Sequence, residues 1–144
     1  MHAHPLTTKD HALLTAAIDA AERLRVPGQQ EVAAALRTTA GNIYTAIHFE
    51  TAAAFATVCG EVAAISCMVA DGHRDLDTIC AVKRNAQGEP LILPPCGRCR
   101  EVIRTFNPNA WIILAGAEDH TTPTALHHPT KVPLRDLLPR AGTV

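Results

Sequence analysis

The sequence predicts an α/β layered domain built around one sheet. Three observations carry that reading: a helical apolar period over Thr8–Arg25, a hairpin pattern from Glu31 to Ile47, and, beyond it, helical segments alternating with β-prone runs. Within Thr8–Arg25, Leu14, Ala17, Ile18, Ala21 and Leu24 recur at three- and four-residue steps, while Asp10, Asp19, Glu22 and Arg23 fall elsewhere. Val26-Pro27-Gly28 stops this helix, because proline cannot continue the hydrogen-bond ladder. Glu31–Arg37 reads as extended despite its alanines, because Ala40-Gly41-Asn42 turns the chain into the β-prone run Ile43-Tyr44-Thr45-Ala46-Ile47. Ala52–Val58 leads to Cys59, whose following residues hold a helical spacing through Met68 and Val69 until Asp71-Gly72. Leu76–Val82 is a buried strand, Asn85–Gly88 turns, and Leu91–Leu93 extends. A helix starts near Cys96 and ends by Asn107-Pro108, Trp111–Leu114 is another strand, and Thr121–Val132 is a polar, proline-broken tail. Leu134–Leu138 forms a last helical turn.

The 144 residues suit one domain spanning 1–144, with one core. At 47% hydrophobic and 19% charged, the chain is too apolar for a disordered tail, and its apolar runs are too short to span a bilayer. Thirteen basic against fourteen acidic residues give a net charge of -1, so no basic field exists to hold a nucleic-acid polymer. Five cysteines, an odd number, and a start without a charged or apolar leader predict a reduced, cytoplasmic protein with thiols used for metal, catalysis or burial. Alanine-rich surface favours packing against another subunit.

Two segments place thiols at helix starts: Cys59-Gly60-Glu61, and Pro95-Cys96-Gly97-Arg98-Cys99. Cys96 and Cys99 are spaced so that a first helical turn converges their sulfurs on one ion, and Cys59 supplies a third thiolate. Three protein ligands leave the fourth tetrahedral position of Zn²⁺ open to water, as in catalytic rather than structural sites. Glu61 then serves as the proton carrier, a non-ligating carboxylate two residues from a metal thiolate.

These motifs resemble those of the cytidine deaminase family. Cys59-Gly60-Glu61 is similar to its Cys-Ala-Glu, Pro95-Cys96-Gly97-Arg98-Cys99-Arg100 to its second motif, Val32-Ala33-Ala34-Ala35-Leu36 to its Val-Gly-Ala-Ala-Leu strand, and Leu137-Leu138-Pro139 to its C-terminal Leu-Leu-Pro. The resemblance implies a three-layer α/β/α fold with a mixed five-stranded sheet, one catalytic zinc per subunit, a homotetramer, and a place in pyrimidine salvage. It also implies substrate contacts. Glu50, nine residues before Cys59, corresponds to the glutamate that bonds the ribose; His48 stands where the family has asparagine and can still bond a hydroxyl; the Gly60 backbone helps to hold the base.

The chain departs from the family at several points. Val62 follows Glu61 where many members have arginine, and Arg98, inside the Cys-x-x-Cys loop as in the blasticidin-S deaminase branch, is the substitute cation for a site whose three thiolates overcompensate Zn²⁺. Gln30 replaces an early phenylalanine, and no aromatic residue follows Pro139. The expected activity is deamination of a free aminopyrimidine nucleoside, cytidine or deoxycytidine. A blasticidin-like nucleoside antibiotic or another amino-heterocycle is the second reading, and a non-enzymatic zinc or redox protein the third. Plainer roles compete at single positions: Glu61 as a helix-start carboxylate, Glu50 as a solvated strand end, His48 as a hydrogen-bonded structural histidine, Arg98 as a surface cation. Cys67 and Cys80 are expected to be buried as small hydrophobes, His127-His128 to be loop surface, His2 and His4 to lie in a mobile terminus, and Trp111 to pack in the core or an interface.

Overall fold

Helix α1 (Thr8–Leu24) begins at a reciprocal cap. The Thr7 hydroxyl accepts from the Asp10 amide at 3.3 Å, and the Asp10 carboxylate accepts from the Thr7 amide at 2.9 Å. The computed structural model describes residues 2–116 and 128–142. Around α1 run β1 (His4–Pro5), β2 (Ala33–Thr38), β3 (Ile43–Ile47), α2 (Gly60–Ala70), β4 (Leu76–Arg84), β5 (Pro90–Leu93), α3 (Gly97–Phe106), β6 (Trp111–Leu114), β7 (Thr130–Pro133) and α4 (Leu134–Leu137), with a 3₁₀ turn at Ala54–Ala56.

One sheet joins all the strands in the order β1-β7-β6-β4-β2-β3, and β5 pairs with β4 beyond β6. The β4/β6 pair is parallel and every other pair antiparallel. Strand alternation sorts the core onto two faces. Ala33, Ala35, Cys80, Val82 and Ile113 pack against Leu13, Leu14, Ala17, Ala20 and Ala21 of α1. On the opposite face Ala34, Leu36, Ile79, Ala81 and Ile112 meet Ala64, Ile65 and Met68 of α2 and Ile103 of α3. The result is the expected α/β/α layering. Alanines on β2 let both helical layers approach closely, and each fully buried Leu or Ile contributes roughly 1.5–3 kcal/mol of transfer free energy.

The expected five strands become seven. Strands β1 and β7 hold only two and four residues and carry His, Pro, Thr and Lys rather than an apolar alternation. Their pairing comes from partners: β7 lies along β6, and β1 along β7. The terminus is correspondingly not free, because His4 pairs with Lys131 and sets its ring edge-on to Trp111 at 4.9 Å, while the Lys131 ammonium lies 4.9 Å over the same indole. His128 is exposed; His127 and 121–127 of the expected tail lie outside the described residues, and Thr130–Val132 is strand rather than loop. Cys80 is buried as expected, but Cys67 is exposed. Helix α2 is apolar on nearly every side, and Gly60, Glu61, Ala64, Ile65 and Met68 are the residues it turns to the sheet. Among the described residues no helix is long and apolar enough to cross a membrane.

Candidate metal and catalytic site

Both thiol-bearing helices lie on the same face of the sheet, and their starts meet. Cys59 is the N-cap of α2 and Cys96 the N-cap of α3, so each thiol sits at the positive end of a helix, and Cys99 falls in the first turn of α3. The Cys59 and Cys96 sulfurs are 3.8 Å apart and those of Cys96 and Cys99 3.4 Å, with all three within 4.8 Å of one another. Tetrahedral zinc with Zn–S bonds of about 2.3 Å requires sulfurs about 3.8 Å apart, so the described residues fit the ion. Burial opposes the Cys96 thiolate, yet the Cys99 backbone and the neighbouring thiols hold its pKa below the ordinary thiol value. Cys99 is pushed the other way by burial and by the charge of Glu61. A cation relieves that conflict.

Arg98 supplies charge from outside the cluster. Its guanidinium donates to the Cys59 sulfur at 3.2 Å and to the Thr57 carbonyl at 2.7 Å, and the Cys59 contact raises its own pKa. Arg100 ties the loop from behind, donating to the carbonyls of Pro95 and Leu137, both at 2.8 Å. The residue ahead of Cys96 is thus anchored to the C-terminal helix α4.

Glu61 points into the same place and is only 6% exposed. Burial raises its pKa above the usual carboxylate value, opposed by its own amide and the Cys99 thiol. A carboxyl held this way is poised to exchange protons. Val32, His48, Cys59, Gly60, Glu61, Leu93, Pro94 and Cys96 enclose a cleft of 170 Å³ beside it. At Gly60 a Cβ would stand 2.7 Å from the Val32 carbonyl oxygen, so α2 approaches β2 at that point as only glycine permits.

His48 and Glu50 form the cleft's polar edge. The His48 Nδ1 accepts from the amides of Glu31 at 3.0 Å and Val32 at 2.9 Å, and its Nε2 lies 3.2 Å from a Glu50 carboxylate oxygen. The other Glu50 oxygen accepts from the Thr57 hydroxyl at 3.1 Å. Thus all eight residues singled out in the sequence gather in one region, with Glu50 and Arg98 at its rim and Cys99 buried behind the cleft wall. Thr57, Leu93, Pro94 and Val32 escaped sequence reasoning. A threonine in an alanine-rich loop has no spacing signal, and the apolar walls read as ordinary strand residues.

Comparison with known proteins places this geometry. The sequence model described as the cytidine and deoxycytidylate deaminase zinc-binding region matches residues 7–115. Blasticidin-S deaminase of Bacillus cereus is 33% identical over 113 residues, covering 76% of this chain and 81% of that enzyme. The crystal structure of cytidine deaminase from Burkholderia pseudomallei superposes with a TM-score of 0.72 at 28% identity, over 95% of this chain and all of that one. Cytidine deaminase from Mycobacterium tuberculosis superposes with a TM-score of 0.69 at 27% identity, over 93% and 97% of the two chains.

Proposed function

The chain belongs to the cytidine and deoxycytidylate deaminase zinc-binding family, and on that premise we propose that it hydrolyses the exocyclic amine of a free aminopyrimidine nucleoside, cytidine or deoxycytidine. The observation that carries this reading is the buried Glu61 carboxyl in one cleft with Cys59, Cys96 and Gly60. Cys59, Cys96 and Cys99 would hold the zinc, which when bound would supply an acidified water as nucleophile near neutral pH. Glu61 takes one proton from the water and delivers it to the ring nitrogen, then takes the remaining proton from the hydroxyl added to the ring carbon and gives it to the amine, which departs as ammonia. Water and the aminopyrimidine are consumed; the uridine-type product and ammonia leave. The Gly60 backbone borders the base, and Glu50 accepts from a sugar hydroxyl at the cleft's open edge. A structural or redox role leaves the buried Glu61 without a purpose.

The cleft is small against the roughly 300–1,000 Å³ of complete ligand sites. In our reading a second subunit completes it, within a homotetramer. Phe55 is 88% exposed, and Phe49 and Val69 are also uncovered, large apolar side chains suited to burial against another copy. The cytoplasm suits three functional thiols.

A substrate panel tests the assignment. Zinc-loaded protein is offered cytidine, deoxycytidine, cytosine, deoxycytidylate and blasticidin S, with ammonia and the product spectrum both measured. Turnover of cytidine or deoxycytidine is expected. The kinship with blasticidin-S deaminase, the position of Arg98 and the absence of arginine at Val62 favour a second reading, an antibiotic nucleoside; turnover of blasticidin S alone selects it. Ammonia from none of the compounds, with zinc bound, removes the deaminase reading for this panel's chemistry.

A further inference from the structure

The orientation of the His48 ring is fixed by groups that cannot change role. Backbone amides only donate, and two of them, from Glu31 and Val32, converge on Nδ1 at 3.0 and 2.9 Å. The His48 amide in turn donates to the Val32 carbonyl at 2.8 Å, so ring and backbone are bound to the same residue at the entry to β2. A hydrogen on Nδ1 would face both amide hydrogens. The ring hydrogen therefore sits on Nε2, 3.2 Å from the Glu50 carboxylate, where it is donated. The remaining Glu50 oxygen is held by the Thr57 hydroxyl at 3.1 Å, and the Glu50 amide donates to the Gln29 carbonyl at 2.8 Å.

We propose that His48 is a positioning residue that, locked as the Nε2–H tautomer by the Glu31 and Val32 amides, aims the Glu50 carboxylate as an acceptor for a hydroxyl of the ligand. This rests on the nucleoside reading of Glu50 given above. Its consequence is a division of labour. His48 has no free lone pair, its one hydrogen is committed, and its side chain is 13% exposed against 54% for Glu50. Glu50 keeps an unused lone pair on each oxygen and faces outward. Discrimination for the sugar then passes from the ring through the carboxylate, and a ring that is present but turned would not serve.

The experiment combines ring spectroscopy with kinetics on the zinc-loaded full chain. In ¹⁵N-histidine-labelled protein, with the His48 signals identified by their loss in His48→Gln, the Nδ1 resonance is expected in the unprotonated range and Nε2 in the protonated range. Glu50→Ala is expected to shift Nε2 while leaving the tautomer in place. His48→Asn retains an acceptor for the amides but does not reach Glu50, and is expected to lower kcat/KM for the nucleoside about tenfold. His48→Gln, whose amide nitrogen extends to the Nε2 position, is expected to recover to within about threefold. Added to Glu50→Ala, His48→Asn should cost less than about twofold further, because the two act as one unit. A protonated Nδ1, or effects of the two substitutions that multiply in full while thermal midpoints stay at the parent value, overturns the proposal. A parent protein that deaminates no nucleoside removes the ligand assigned to Glu50, and the response of Nε2 to Glu50→Ala then decides separately whether His48 holds that carboxylate.

Discussion

The guanidinium of Arg98 donates to the sulfur of Cys59, 3.2 Å away, across the gap between two helix starts. Its second bond, to the Thr57 carbonyl at 2.7 Å, fixes the loop that delivers Cys59, so one side chain both places a thiol and offsets its charge. Arg98→Ala is expected to weaken zinc binding roughly ten- to a hundred-fold, the usual effect of removing a group that orients a ligand. Arg98→Lys recovers only part, because an ammonium lacks the planar fork that serves a sulfur and a carbonyl together. Competition with a chromophoric chelator measures both; parent-like affinity in the alanine variant would show that the helix ends alone balance the thiolates.

Cys59, Cys96 and Cys99 are the described thiols close enough to share an ion, and each would supply a third of its protein ligands. Cys96→Ala and Cys99→Ala are expected to emerge with far less than one zinc per chain by atomic emission. Glu61→Gln separates chemistry from metal: it should keep zinc and lose about 10²–10⁴-fold in kcat, because an amide bonds but cannot ferry protons. Retention of full zinc by both cysteine variants would dissolve the site, and near-normal turnover by Glu61→Gln would dissolve the mechanism.

The sequence made most of this region readable because its chemistry lies in two short runs at helix starts, where spacing alone dictates that Cys96 and Cys99 face one point. Helix α1 and strand β6 were equally plain, the first from its three- and four-residue apolar steps and the second from Trp111-Ile112-Ile113-Leu114. Other features depend on distant partners. Strands β1 and β7 are specified by the edge they join, and no local pattern marks them. The side of α2 that carries Cys67 was unreadable because apolar residues surround that helix. The direction of the His48 ring depends on amides 16 and 17 residues upstream, and the role of Thr57 depends on where Glu50 and Arg98 arrive.

Gly60 links the fold to the site. A methyl group there would meet the Val32 carbonyl at 2.7 Å and the Ala34 amide nitrogen at 3.3 Å; Ala34 lies in β2 and Val32 just ahead of it, and β2 is held on both sides, by β3 and by β4, so this backbone does not readily give way. Gly60→Ala should therefore push the start of α2 outward, lowering stability by roughly 1–3 kcal/mol in urea unfolding and displacing Cys59 and Glu61 together. Both zinc affinity and kcat are expected to fall. A variant with the parent's unfolding midpoint would mean that α2 shifts at no cost.

Asp10 controls the acid limb of stability. Burial disfavours its charge, but Lys131 at 2.7 Å, the Thr7 amide and Arg37 at 3.0 Å outweigh it and lower the pKa from 3.8 to about 2. Because the folded value is the lower one, this stabilisation is complete above about pH 4 and is lost as pH falls through about 2, and it amounts to roughly 2 kcal/mol. Asp10→Asn should be less stable than the parent at neutral pH, and the gap should narrow between about pH 4 and pH 2. Urea midpoints across that range test it, with the difference between the two proteins cancelling acid release of zinc, and a gap independent of pH would contradict the assignment.

Glu50 carries the last expectation, because in the proposed reading its carboxylate accepts from a sugar hydroxyl at the rim of the cleft. One oxygen is bound by His48 at 3.2 Å and the other by Thr57 at 3.1 Å, so the group is held before any ligand arrives and little ordering remains to be done on binding. Removing a charged acceptor from such a contact costs roughly 1.5–3 kcal/mol, or about ten- to more than a hundred-fold in kcat/KM. Glu50→Ala should accordingly lose far more on cytidine or deoxycytidine than on cytosine, which has no sugar to offer. Thr57→Val, which leaves the carbonyl that binds Arg98 in place and removes only the hydroxyl, should reproduce the pattern at about fivefold. Equal losses on nucleoside and base in the Glu50 variant would assign the carboxylate to holding the loop between β3 and α2, and the Thr57 variant would then differ from the parent in stability rather than in substrate preference.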